Sequence, residues 1–558
     1  MVFRLQKRIY RAERAGDWRR VHKLQRLLLR SWSARCLAVR QVTQENQGKR
    51  TAGVDGVASL TPHQRLGLAH RLQNLTHWSV DPVRRVYIPK PGSTEKRGLG
   101  IPTMRDRAMQ ALVKQVLEPE WEAKFEPNVY GFRPGRCAQD AIGAIFNHIC
   151  LKPKYVLDAD IEKCFDRIGH TALLAKLRAP QPIQRVIHDW LKAGILEEGL
   201  MLFPEAGTPQ GGIASPILAN VALHGFEKAM NAVSQQHPVA VIRYADDFVT
   251  LCDDLPTLET ARTHAEAWLA EMGLRLKPSK THITHTLQEH EGQVGFDFLG
   301  FQIRQYSVGQ YHTRTYRGKP GMKTLIKPSR RALEQHIQHL HTLVHRYRGA
   351  NQAALIAALN PVIRGWANYY HTSVAKRIFS AADHHLYNQL YGWAHWRHSH
   401  KTGGWRYRRY WRTQGTHQVF SNGTSTLACH DATPIIRHVK IQGDKSPYNG
   451  DRVYWELRLQ HDPTKPPRVL RLLKRQHGRC EVCGLRFMAD DKLEIHHLDR
   501  NHVNPLWSNQ VLLHLHCHDK AHAHGVIDND PCSEEPDDGK LSCPVLERRR
   551  GGRPPRRP

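Results

Sequence analysis

In LQKRIYRAERAGDWRRVHKLQRLLLRSWSARCLAVRQV, Leu and Val recur at helical spacing among basic side chains, which predicts helices over most of residues 1–50. The next segment, TQENQGKRTAGVDG, reads as a Gly-, Asn- and Thr-rich loop. From about 81 to 305 the pattern changes to mixed α/β: short β-branched runs (RRVYIP, KYVLDADI, AVIRYADDFVTLC) alternate with helical stretches such as RDRAMQALVKQVLEPEWEAKF. Past about 325 helical spacing returns in RRALEQHIQHLHTLVHRYR and AALIAALNPVIRGWANYYHTS. KTGGWRYRRYWR (401–412) is basic and aromatic without clear amphipathic period and leads into a poorly patterned region. Residues 470–525 are compact and rich in Cys and His, and an acidic, then Arg-, Gly- and Pro-rich tail is expected to be disordered. There is no internal repeat.

Composition sharpens this outline. The chain has 558 residues, 82 Lys and Arg against 51 Asp and Glu, and a net charge of +31 before any of its 37 His protonates. At roughly 100–200 residues per domain, that length and 40% apolar residues allow several folded units and exclude disorder throughout. So large a positive surplus argues against a routine metabolic enzyme and for a polyanionic partner, nucleic acid before a membrane surface. No apolar run approaches the roughly 18–20 residues that span a bilayer, and the N-terminus is charged where a signal peptide is apolar, so a soluble intracellular protein is expected. Most Cys stand alone, unlike a disulfide framework, but Cys480 and Cys483 form a CxxC that suggests metal in a reducing compartment.

Three segments carry candidate metal-binding and phosphoryl-transfer chemistry. In AVIRYADDFVTLC (239–252) two β-prone runs meet at Ala245, Asp246 and Asp247, and two carboxylates at a hairpin tip repel unless cations neutralise them. KYVLDADIEKCFDRIGH (154–170) brings Asp158 and Asp160 on a second β-prone run. Two-metal phosphoryl transfer needs carboxylates from separate strands around ions roughly 3.5–4 Å apart, and Asp160, Asp246 and Asp247 would supply them. Between these runs, GTPQGGIASPILAN (207–220) has glycines that let backbone approach a bulky ligand.

With RVYIPKPGSTEKRGLGIPTMRDR, YGFRPGR, GLRLKPSKT and FDFLGF added, in this order and spacing, most of the chain resembles the reverse transcriptases encoded by bacterial group II introns. The resemblance implies that Asp160, Asp246 and Asp247 are the catalytic triad with two Mg²⁺, and that Phe165 crowds the sugar 2′ position to favour deoxynucleotides. It implies Lys96 and Arg97 over the incoming triphosphate, Gln210 lining the template and nucleotide pocket, and Lys280 near the phosphates as a proton donor. Gly98 departs from the Pro that family members often carry there. Asp158 and Asp166 also lie near the site, Asp158 expected to support without ligating, and the alternative for both is a solvated or capping carboxylate. The basic N-terminal helices resemble the family's extension that meets intron RNA and template. The helices from 325 to 400 resemble its thumb, or maturase domain, with Trp366, Tyr369 and Tyr370 expected in the core. Trp405 to Trp411 matches in position the family's DNA-binding region.

At the C-terminal end, Cys480 and Cys483 with His514 and Cys517 form two pairs with zinc-site spacing, and such a site is usually structural. The remaining Glu494, His496, His497, Asn509, His518 and His522 resemble the HNH endonuclease motif, a ββα fold around one divalent ion. His518 and His522 share a helical face and can converge on an ion with His496. The resemblance makes His497 the general base, Asn509 the residue holding its loop, and Glu494 a supporting side chain.

The expected architecture is multidomain α/β and α: a right-hand polymerase (fingers and palm, with an antiparallel palm sheet), a helical thumb/maturase domain and a C-terminal ββα-metal HNH module with a zinc site. Its parts are an N-terminal extension of basic helices and loop (1–80), fingers and palm (81–310), thumb/maturase domain (311–400), DNA-binding region (401–470), HNH module with zinc site (471–527) and disordered tail (528–558). By the resemblance its partners are intron RNA, target DNA and dNTPs, with no membrane, in a cytoplasmic, nucleoid-associated ribonucleoprotein as a monomer or dimer. The competing reading is a splicing-only RNA-binding maturase with a degenerate polymerase.

Overall fold

A computed structural model describes residues 1–89, 95–208, 210–309, 321–415, 417–462, 465–489, 491–499, 501, 504 and 506–524. The 528–558 tail therefore lies outside the described residues. No helix among the described residues is long and apolar enough to cross a membrane.

Three helices, Val2–Arg14, Trp18–Arg30 and Trp32–Arg40, open the N-terminal extension. Their apolar stripes pack on Met104–Lys124, a helix buried along most of its length. Asp17 caps the second helix by accepting from the Arg20 amide at 3.0 Å. Buried Gln25 donates to Glu120 at 2.6 Å. The opposite face of that helix carries Arg19, Arg20, Lys23, Arg26 and Arg30 outward. After Arg40 the chain makes one π turn, Gln41–Glu45. That widened turn aligns residues five apart, and Arg40 pairs with Glu45 at 2.8 Å.

Eight strands build the fingers and palm: β1 (Val83–Pro89), β2 (Lys96–Ile101), β3 (Tyr155–Asp160), β4 (Ile195–Glu197), β5 (Leu200–Leu202), β6 (Ala240–Tyr244), β7 (Asp247–Cys252) and β8 (His282–His285). The fingers sheet has the order β2-β1-β4-β5, and the palm sheet, antiparallel throughout as expected, β6-β7-β3-β8. One palm face packs on the core shared with the extension. The other is covered by the Ala138–Ile149 helix and by a sheet of β9 (Phe296–Phe298), β10 (Phe301–Ser307) and β11 (Met322–Pro328). The thumb helices Arg330–Arg346, Gln352–Tyr370 and Lys376–Arg397 follow. Tyr370 is buried, with Trp366 and Tyr369 packed beside it, so these aromatics are core as expected.

The 401–412 stretch is ordered and partly core, against the unpatterned surface its sequence suggests. Gly403–Tyr410 is a helix followed directly by β12 (Trp411–Gln414), which pairs with β13 (His417–Phe420). Tyr410 and Trp411 are buried in the thumb core, where Tyr410 meets Trp393 at 5.1 Å between ring centroids and Trp411 meets Phe420 at 5.2 Å. Arg406 turns inward to His395 at 2.6 Å. Only part of this run, including Arg408, Arg409 and Arg412, faces solvent. The connector beyond docks on the palm through buried Asp140, which accepts from Arg458 with both oxygens at 2.8 Å and pairs with His438 at 2.9 Å.

A small C-terminal unit has its own core of Leu472, Leu473, Phe487, Leu512 and Leu513. It combines the hairpin β14 (Leu493–His497) and β15 (Gln510–His514) with helix Leu515–His524. This unit touches the N-terminal π turn: His516 lies 3.3 Å from Arg40 and 3.5 Å from Glu45, and Lys492 donates to the Glu45 carbonyl.

Candidate polymerase and nuclease sites

The palm hairpin turns at Ala245, so Asp246 and Asp247 stand at its tip. Asp160, at the end of β3, lies directly opposite Asp247 in the antiparallel register, and the Ile161 amide donates to the Asp246 carbonyl at 3.4 Å. Residues some 86 positions apart are thereby gathered at one sheet end. Lys280 donates to Asp160 at 2.6 Å, an ammonium bound where a cation is called for. Loss of hydration, followed by the Asp246 and Asp160 charges, pushes the Asp247 carboxyl up to about 7. Such crowding fits a centre that binds divalent cations.

Asp158 shares the strand face with Asp160, and burial, then the charges of Asp247, Asp297 and Asp160, push it up to about 7 from 3.8. A carboxyl that keeps its proton to a higher pH folded than unfolded makes folding less favourable as pH rises through that window. Asp158→Asn should therefore raise the thermal midpoint of EDTA-treated protein by several degrees at pH 8, on the order of 2 kcal/mol, and change little at pH 4. Fluorescence-monitored melting at both pH values checks the sign.

Phe165 sits beneath the GTPQGG loop: its carbonyl accepts from the Thr208 amide at 2.5 Å, and its ring meets that of Phe132 at 6.0 Å. Gln210 bridges this loop to the fingers, accepting from the Gly100 amide at 2.6 Å, with its side chain 3.5 Å from Asp166. Gly211 has φ +114°, and a Cβ there would stand 2.8 Å from the Gly100 oxygen, which is why the loop needs glycine at this point. Lys96 and Arg97 lie exposed on β2. The Arg97 charge reaches Asp166, Asp246 and Asp247 and favours their ionised forms.

In the C-terminal unit the ligand atoms of Cys480, Cys483, His514 and Cys517 lie within 4.8 Å of one another. That is compatible with a tetrahedral zinc cage, whose donors stand roughly 4 Å apart. Hydrogen bonds from Cys483 and Cys517 hold the Cys480 thiol far below the ordinary thiol range. Burial opposes charge on His514, but its bond to Asp491, 3.2 Å from its Nε2, together with those to Cys480 and Cys483 and the Asp491 charge outweighs that. The other ring nitrogen, Nδ1, faces Cys483 at 3.4 Å. Asp491 thus orients a candidate ligand from behind, and the sequence pattern did not reveal it.

The second group, His496, His518 and His522, also lies within 4.8 Å, with the Nε2 atoms of His518 and His522 3.2 Å apart. Three convergent imidazoles suit a transition-metal or zinc ion. His497 lies opposite Gln510, whose amide nitrogen is 3.3 Å from its Nε2, while Arg468 donates to the Gln510 oxygen at 2.6 Å. Arg468 and Gln510 are further residues with no sequence signal. Asn509 fastens the loop after His497, accepting from the Asp499 amide at 2.9 Å and donating to its carboxylate at 2.7 Å. Glu494 is exposed on β14 and stands outside the histidine group.

Fingers, an antiparallel palm with acids at one end and a helical thumb define a template-copying polymerase of the right-hand type. Three family models match: "Reverse transcriptase (RNA-dependent DNA polymerase)" over 88–303, "N-terminal domain of reverse transcriptase" over 1–72, and "Group II intron, maturase-specific domain" over 333–411. Protein YkfC of Escherichia coli (strain K12) is 30% identical over 329 residues, 51% of this chain and 83% of YkfC. The group II intron-encoded protein LtrA of Lactococcus lactis subsp. cremoris is 35% identical over 188 residues, 33% of this chain but only 31% of LtrA. Maturase-like protein 1 of Euglena gracilis is 27% identical over 388 residues, 66% of this chain and 75% of the relative. The chain belongs to the group II intron-encoded reverse transcriptase/maturase family. The maturase match extends to 411, through the helix that packs into the thumb core.

Proposed function

We propose that this reverse transcriptase/maturase makes its own DNA primer: a C-terminal HNH-type nuclease nicks one strand of a target, and the polymerase extends the new 3′ end on intron RNA. The observation that supports it is the presence, in one chain, of the acidic palm tip and of three convergent histidines beside His497. Bound at Asp160, Asp246 and Asp247, two Mg²⁺ ions would supply activation of the primer hydroxyl and neutralisation of the leaving pyrophosphate. Around them, Lys96 and Arg97 bind triphosphate, Gln210 lines the template and nucleotide pocket, Phe165 limits the sugar 2′ position, and Lys280 hands a proton to the leaving group.

At the second site, a divalent ion held by His496, His518 and His522 would supply charge stabilisation at the departing 3′ oxygen. His497 takes the proton of the attacking water at a ring nitrogen, with Gln510 and Asn509 fixing its ring and loop. Zinc at Cys480, Cys483, His514 and Cys517 is structural. The basic N-terminal helices and the thumb grip intron RNA in a ribonucleoprotein, through phosphate contacts that weaken as salt rises. Outward Arg408, Arg409 and Arg412 supply DNA contacts.

His497→Ala is expected to lower second-strand nicking by roughly 100-fold or more while extension of an annealed primer persists. Nicking and cDNA assays on the same ribonucleoprotein check this. Loss of both activities together would contradict two separate sites.

A further inference from the structure

Arg243 lies on β6, three residues before Asp246, and is buried to 2% exposure. Its Nη1 donates to the Ala245 carbonyl at 2.9 Å and to Asn220 Oδ1 at 3.1 Å. Asn220, equally buried, donates from Nδ2 to the Gly131 carbonyl at 2.9 Å. Gly131 closes the loop by backbone contact, since a Cβ built there would stand 2.3 Å from the Ala245 nitrogen. Main-chain bonds reinforce the same junction: Arg243 donates to the Asn128 carbonyl at 3.0 Å and accepts from the Tyr130 amide at 2.9 Å.

The turn held this way is not one the chain adopts freely. Ala245 has φ +58°, a left-handed conformation that costs a residue with a Cβ about 1 kcal/mol or more. Its carbonyl belongs to the Ala245–Asp246 peptide plane, so a donor fixing that oxygen fixes the direction in which Asp246 leaves the turn. A guanidinium suits the task because the two in-plane hydrogens of one nitrogen, Nη1, hold both acceptors in a fixed geometry. Lysine would keep the charge and lose this planar, fixed pair of N–H bonds.

We propose that Arg243 is a positioning residue of the polymerase site: braced by Asn220 and Gly131, it sets the Ala245–Asp246 peptide and so the spacing of the carboxylates that receive the metals. This rests on Asp246 and Asp247 being metal ligands, which Asp246→Ala tests separately because that variant should stay silent at every Mg²⁺ concentration.

The experiment compares wild type, Arg243→Lys and Asn220→Ala in single-nucleotide extension of an annealed primer–template across a Mg²⁺ titration, after melting curves and primer–template affinity have shown which variants fold. Folded Arg243→Lys should lose roughly 100-fold in kcat, the scale of a misplacement near 1 Å, with KM for the dNTP little changed. Its half-saturating Mg²⁺ concentration should rise several-fold. Asn220→Ala should move both quantities the same way by about tenfold or less, and decides the matter alone if Arg243→Lys proves unstable. A role in core packing alone would reduce active protein without moving the Mg²⁺ requirement. An unchanged half-saturation in a folded variant overturns the proposal.

Discussion

Asp246→Ala should abolish cDNA synthesis, lowering primer extension by about a thousandfold or more, equivalent to roughly 4 kcal/mol of transition-state stabilisation. The size follows from geometry. Asp246 and Asp247 stand at one tip opposite Asp160, and removing one acid takes away part of the charge that would hold both ions. The folded state should survive, because the change relieves repulsion: Asp247 is raised to about 7 partly by its neighbour's charge. RNA binding, which we propose lies on the basic surface of the N-terminal helices, should be unaffected. Extension equal to wild type in the folded variant would rule out this centre as the polymerase.

The second large effect is expected at the Cys/His unit. Cys480→Ala, or removal of zinc from the wild type followed by restoration of excess Mg²⁺, should unfold residues 470–524 while extension of an annealed primer stays within about twofold. Among the described residues of this unit, eight apolar or thiol side chains are buried in its core, two of them the candidate ligands Cys480 and Cys517. Too little apolar surface is buried there to hold a fold alone, whereas structural zinc supplies roughly 10–16 kcal/mol in small domains. Hydrogen–deuterium exchange should show this stretch losing protection, and metal analysis should find one zinc lost. Full protection in metal-free protein would refute the zinc reading.

Much of the polymerase was legible because its signals are local. Period-2 runs ending in acids announce strands with carboxylates at their tips, and the spacing of CxxC with His514 and Cys517 announces a cage. What the pattern could not supply was register, which alone sets Asp160 against Asp247. Eight residues, Gly403–Tyr410, make just over two turns, too short for a period to stand out, so Tyr410 and Trp411 read as a basic, aromatic surface although they are core. Asp491 and Gln510 act through partners brought near only by folding, and Arg243, though it stands inside the AVIRYADDFVTLC segment, is braced by Asn220, which only folding brings to it.

The contact between Lys492 and the Glu45 carbonyl joins residues 447 positions apart. At roughly 5–20 residues per second, a ribosome needs on the order of half a minute or more to make that interval. During that time the π turn emerges with its final neighbour not yet translated. The Arg40–Glu45 turn therefore spends that interval without its contacts to Lys492 and His516, and gains them only after folding of the rest of the polypeptide is under way.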